Sequence, residues 1–70
     1  MDWDNLQIFL TVARQGTLAR AAQALQIDAT TVSRRVSALE SALQQTLFER
    51  APSGFIPTAA GRALVPHAEA

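Results

Sequence analysis

Asp28-Ala29-Thr30-Thr31-Val32-Ser33-Arg34-Arg35-Val36-Ser37-Ala38-Leu39-Glu40-Ser41-Ala42-Leu43 is the stretch whose pattern decides the fold. Val32, Val36, Leu39 and Leu43 recur at i, i+4, i+7 and i+11. At about 100° per residue they fall within about 60° of arc and make one apolar helix face. Thr30, Arg34, Ser37 and Ser41 project on the opposite side, with Ser33 and Thr31 flanking them and Arg35 nearer the apolar edge. Asp28 stands where an N-cap belongs, so a helix is expected over 29–43.

Upstream, Leu6, Phe9, Leu10 and Ala13 share another helical face, and Gly16 follows as a C-terminal glycine. This predicts a helix over 3–15, capped by Asp2, with Asp4 in its first turn, Arg14 in its last and Trp3 packed inward. Thr17 caps a short second helix over 18–25, whose face is Leu18, Ala21, Ala22 and Leu25. Gln26-Ile27 leaves only a tight connection to the helix that follows.

Downstream the helical period ends. Leu47-Phe48-Glu49-Arg50 reads as a strand, Ala51-Pro52-Ser53-Gly54 as a turn and Phe55-Ile56-Pro57 as a returning strand. Thr58 caps a last helix, which Pro66 should bend or interrupt. The order is helix, helix, tight turn, helix, two-stranded wing, helix. That is a mainly α winged helix-turn-helix, expected over 1–57, followed by the last helix at 58–70.

Seventy residues allow one domain. A hydrophobic content of 49% and a charged content of 17% place it among globular chains. No cysteine is present, which removes disulfides and thiolate metal sites. No acid pair in a plausible cleft, metal-ligand spacing or glycine-rich phosphate loop appears, so an enzyme, a cofactor and a metal are not expected, and His67 reads as a surface residue. The N-terminus is not a signal peptide, and no apolar run could span a bilayer, so a cytoplasmic location is expected.

Formal net charge is zero, but its distribution is uneven. Arg14, Arg20, Arg34 and Arg35 lie in a segment whose one acid is Asp28. Every basic residue is arginine, whose planar fork binds phosphate and guanine in ways lysine does not. In a helix-turn-helix pair the second helix enters the DNA major groove and needs a polar face of short side chains. Thr30, Thr31, Ser33, Arg34 and Ser37 meet that need, and the N-terminus of the preceding helix at Thr17 suits a phosphate. Taken singly, each feature has a plainer explanation: a polar helix face is ordinarily just solvated, Thr17 and Asp28 serve as caps, and Arg50 fits a strand end. The competing reading is a winged helix that binds protein and not DNA, which the zero net charge favours.

The sequence resembles the N-terminal domain of LysR-type transcriptional regulators over residues 3–65. The resemblance runs through Leu6-Gln7-Ile8-Phe9-Leu10-Thr11-Val12-Ala13, Gly16-Thr17-Leu18-Ala19-Arg20-Ala21-Ala22, Leu25-Gln26-Ile27 and Val32-Ser33-Arg34-Arg35-Val36. It continues through Leu39-Glu40, Leu47-Phe48-Glu49-Arg50, Gly54 and Thr58-Ala59-Ala60-Gly61. It implies sequence-specific binding of double-stranded DNA by helix 29–43 and phosphate contacts from the wing. The candidate contacts are Thr17, Arg20, Thr30, Thr31, Ser33, Arg34, Ser37, Arg50 and Ser53. It also implies a homodimer through the last helix, at Ala60, Ala63 and Leu64, with a tetramer open to the full-length protein. A small-molecule effector is expected only on a C-terminal domain beyond this chain, which then reads as a fragment. Three positions depart from the family pattern: Ala29-Thr30 replace a frequent Gln-Pro, Gln44 a helix-ending Gly, and Ser53 a wing Arg.

Overall fold

The computed structural model describes residues 3–70 and has the element order α1 (Trp3–Gln15), α2 (Leu18–Leu25), α3 (Ala29–Leu43), β1 (Phe48–Ala51), β2 (Gly54–Pro57) and α4 (Ala59–Glu69). The expected Asp2 cap lies outside the described residues. The other caps form as the sequence implies. Thr17 Oγ1 accepts from the Arg20 amide at 3.1 Å, Asp28 Oδ2 from Thr30 at 2.9 Å, and Thr58 Oγ1 from Gly61 at 3.1 Å. Each satisfies an amide that the first helical turn leaves without a partner.

Both α2 and α3 end on a glutamine in the left-handed region, Gln26 at φ 57° and Gln44 at φ 54°. The amide of Ile27 reaches back to the Ala22 carbonyl, and that of Gln45 to Glu40, each at 3.1 Å. These are glycine-type helix endings made without glycine, at a steric cost of about 1–2 kcal/mol each.

α1 lies at the centre of the fold. It packs on α2, α3, α4 and β2. Its buried residues are Ile8, Phe9, Leu10 and Val12, whereas Leu6 and Ala13 are only partly covered. The single face expected from Leu6, Phe9, Leu10 and Ala13 was therefore too narrow, because a helix with neighbours on several sides buries a wider arc. α2 contributes Ala21 and Ala22, α3 Val32, Val36 and Leu39, and the wing Leu47 and Phe48. Trp3 does not pack inward: at the first position of α1 it is 55% exposed.

The wing is an antiparallel hairpin pairing Phe48 with Pro57, Glu49 with Ile56, Arg50 with Phe55 and Ala51 with Gly54. Both strands lie one residue from their expected bounds, because Gly54 is already paired and Leu47 is not. The loop is Pro52-Ser53. The commonest two-residue hairpin turns need a positive φ at the first loop position, which proline cannot adopt. The positive φ falls on Gly54 instead, at 137°. The Gly54 Cα faces the α1–α2 turn so closely that a Cβ there would lie 2.2 Å from the Gly16 carbonyl oxygen. That oxygen accepts from the Phe55 amide at 2.7 Å, which straps the wing to the turn before Thr17.

Pro66 does not interrupt α4, which runs through it to Glu69. Proline removes the donor to the carbonyl four residues back, at Arg62. Arg62 and Pro66 are both exposed, so water can take that carbonyl. α4 shares the central core: Ala68 is buried, and Arg14 at the end of α1 pairs with Glu69 at 3.0 Å.

Candidate nucleic-acid interface

The start of α3, the start of α2 and the inner face of the wing enclose a shallow depression of about 430 Å³, lined by Leu18, Ala29, Thr30, Ser33, Arg34 and Arg50. Helical spacing brings Thr30, Ser33 and Arg34 onto neighbouring turns of one side of α3. Arg50 arrives from the wing by the alternation of a strand. Phe48 and Arg50 share one face of β1, and Glu49 points to the other. The acid of the wing is thus held away from the depression and the arginine turned into it.

The six arginines fall into two groups. Arg14 is paired with Glu69, Arg35 donates to Asn5 Oδ1 at 3.2 Å, and Arg62 donates to the Pro57 carbonyl at 2.9 Å. Arg20, Arg34 and Arg50 are exposed and have no acidic partner among the described residues. The basic stretch read as Arg14 to Arg35 is accordingly divided by the fold. Two of its arginines brace α1; of the other two, Arg34 joins Arg50 in the depression, whereas Arg20 is exposed on α2 and does not line it.

The remaining candidate residues are placed as follows. Ser37 is exposed one turn beyond Ser33 on α3, and Ser53 is exposed at the wing tip. Thr17 is partly buried, its Oγ1 engaged as a cap. Its hydroxyl proton is still free to donate. Thr31 lines a separate groove with Asp4, Gln7, Ile8, Leu25, Ile27 and Arg35, between α1 and α3, and does not join Thr30, Ser33, Arg34 and Arg50. Among the proposed pairing residues, Ala63 is exposed, whereas Ala60 and Leu64 are partly spent on the chain's own core. Those three line a further groove with Leu43, Gln45, Leu47 and His67.

Two supporting residues escaped the sequence reading. Glu40 Oε2 accepts from the amides of Leu47 at 2.7 Å and Phe48 at 3.4 Å, tying α3 to the start of the wing. The same junction receives α4: Thr58 donates its hydroxyl to the Thr46 carbonyl at 2.6 Å and its amide to the Leu47 carbonyl at 2.9 Å. No spacing rule announces a carboxylate that caps a loop seven residues on. Phe55 is the second: its ring lies under the Arg50 guanidinium, 5.3 Å from centroid to Cζ. Counting outward from the Pro52-Ser53 turn pairs these two positions, a signal the sequence did contain. Among the described residues, no group of three or more His, Asp or Glu side chains could hold a metal ion, and no helix is long and apolar enough to cross a membrane.

Residues 3–62 match the family described as bacterial regulatory helix-turn-helix protein, lysR family. An HTH-type transcriptional regulator encoded in the ibpB-leuC intergenic region of Azotobacter vinelandii is 41% identical over 97% of this chain and 47% of its own length. The Mau operon transcriptional activator of Paracoccus denitrificans is 37% identical over 93% of this chain and 23% of its own. The chain thus spans about half of the first relative and a quarter of the second. The crystal structure of the CbnR DNA-binding domain in complex with DNA superposes with a TM-score of 0.94 at 36% identity, covering 99% of this chain and 79% of that one. This chain belongs to the lysR family of bacterial regulatory helix-turn-helix proteins, and the domain it forms is that family's DNA-binding winged helix-turn-helix.

Proposed function

We propose that the chain binds double-stranded DNA sequence-specifically, with the first two turns of α3 in the major groove and the wing on the flanking phosphates. The observation that carries this reading is the convergence of Thr30, Ser33 and Arg34 of α3 with Arg50 of the wing, the two arginines without an acidic partner among the described residues. Arg34 reads a base or clamps a phosphate, and the hydroxyls of Thr30, Ser33 and Ser37 serve either target. Thr17, Arg20 and Ser53 extend the contact along the backbone. Thr31, held in the groove toward α1, stands at its margin. With zero net charge the chain has only local arginines to neutralise phosphate, so affinity from one copy is modest.

The reading assigns the chain no reaction of its own. It places the protein with the bacterial chromosome in the cytoplasm, as the DNA-reading part of a transcriptional regulator. α4, with the groove lined by Leu43, Ala60, Ala63 and Leu64, is the surface through which two copies pair on a near-palindrome.

Arg34→Ala tests the core of the proposal. It should weaken binding to the selected site by about 1–3 kcal/mol if Arg34 reads a base, and weaken selected and random duplex alike if it holds a phosphate. Binding of both duplexes at the wild-type level would refute the placement of α3. The zero net charge keeps one other reading in play, a protein-binding winged helix. Failure of the wild-type chain to bind any duplex at low salt would favour it.

A further inference from the structure

We infer that Phe55 is a positioning residue for DNA binding, holding the Arg50 guanidinium where a backbone phosphate meets the depression beside α3. The inference rests on the DNA-binding reading above. Arg50 and Phe55 are directly opposed across the hairpin, with the guanidinium over the ring at 5.3 Å. The ring is held in turn. It lies 5.8 Å from Phe48 at a tilt of 57°, and Phe48 lies 5.3 Å from Phe9 at 40°. Phe9 is fully buried at the centre of the fold. A continuous column of rings therefore runs from the core to the one wing arginine that lines the depression. The backbone beneath it is fixed as well, because the Phe55 amide donates to the Gly16 carbonyl.

The chemistry suits phosphate binding. A ring attracts a guanidinium through its face, whereas the guanidinium donates hydrogen bonds in its own plane. Contact with the face of Phe55 thus holds Arg50 through its charge and leaves N–H donors for a phosphate. Among the described residues no acid pairs with Arg50, and Glu49 is on the other face of the hairpin. An arginine held in this way loses less side-chain freedom when it meets a phosphate than one that is loose in water.

The test is a double-mutant cycle on the 70-residue chain, titrated with a mixed-sequence duplex over a series of salt concentrations. Arg50→Ala should weaken binding and flatten the salt dependence by about one phosphate contact. Phe55→Leu should weaken binding about two- to fivefold in the wild-type background. It should do nothing further when Arg50 is already alanine. Phe55→Tyr keeps the ring and should bind like wild type. If leucine disorders the wing, as circular dichroism would show, Phe55→Met gives the same comparison.

An equal loss from Phe55→Leu in both backgrounds would overturn the proposal, since the ring would then act on the wing as a whole. So would wild-type binding by Phe55→Leu where Arg50→Ala is impaired, an outcome that leaves the DNA-binding reading standing. If Arg50→Ala itself binds with wild-type affinity and salt dependence, the proposal falls together with the phosphate role of the wing.

Discussion

The two ends of α3 both carry polar side chains and use them in opposite ways. At the C-terminal end, Glu40 turns back on the protein, one carboxylate oxygen taking both the Leu47 and Phe48 amides. Thr58 and Gly61 close on the same few backbone atoms, Gly61 so tightly that a Cβ would lie 2.2 Å from the Leu47 carbonyl oxygen. At the N-terminal end, Arg34 and the facing Arg50 find no acidic partner among the described residues, and Thr30 and Ser33 line an open depression. A buried polar group must find its partner within the fold, or stability falls by about 1–3 kcal/mol. Groups left unmatched at a surface incur no such loss and stay available to a ligand. The rear of α3 is thus a joint and its front the proposed reading surface.

The largest way to break this division is to remove what holds the helix down. Leu39, 1% exposed in the middle of α3, contacts the central core. Leu39→Ala should destabilise by about 2–5 kcal/mol, which is comparable to the whole stability of a domain this small. A thermal melt within a degree or two of wild type would show that the wrong face has been placed inward.

Glu40→Ala acts on the joint alone. It strips the Leu47 amide of its acceptor beside a fully buried side chain and should cost about 1–3 kcal/mol. The loss should appear first as faster amide exchange at Leu47 and Phe48, with the front of α3 unchanged. Equal acceleration throughout α3 would mean that joint and reading surface do not separate.

The smallest effect sharpens the comparison from the favourable side. Gln44 holds the left-handed ending of α3 at φ 54°. Gln44→Gly removes the Cβ strain while loosening the unfolded chain, so a net gain of about 0.5–1 kcal/mol is expected in denaturant unfolding. A loss of stability would mean that the glutamine side chain contributes a contact outweighing its strain.

The proposed pairing surface on α4 can be probed independently of the joint. Ala63 is exposed where Leu64 is partly committed to the core, so Ala63→Glu tests association without loosening the fold. Wild type should dimerise weakly at high concentration in sedimentation, as a small interface does, and Ala63→Glu should not. Dimerisation unaffected by this change would place the interface elsewhere.

The helices were legible because their signals are local. Caps at Thr17, Asp28 and Thr58 and the spacing of Val32, Val36 and Leu39 needed no knowledge of the rest of the fold. What was not legible depended on neighbours distant in sequence. The burial of Ile8 and Val12 follows from α2, α3, α4 and β2 packing on several sides of α1. The loss of Arg14 and Arg35 from the basic surface follows from Glu69 and Asn5, 55 and 30 residues away. The passage of α4 through Pro66 depends on which side of the helix meets water. Within the candidate site, Thr30, Ser33, Arg34 and Arg50 could be named from pattern, but not that they meet in one depression while Thr31 stands apart.

The central claim is that the front of α3 and the wing together bind DNA, and it is tested most directly by titrating duplex into the wild-type chain and into an Arg34→Ala, Arg50→Ala variant across a salt series. Wild type should bind at low salt with an affinity that falls as salt rises, by about 0.9 in the log–log slope for each phosphate held. The variant should retain its melting temperature, bind at least tenfold more weakly and show a shallower slope, as loss of about 1.4 kcal/mol or more requires. Binding by the variant with the affinity and slope of wild type, or no binding of duplex by wild type at low salt, would contradict the account.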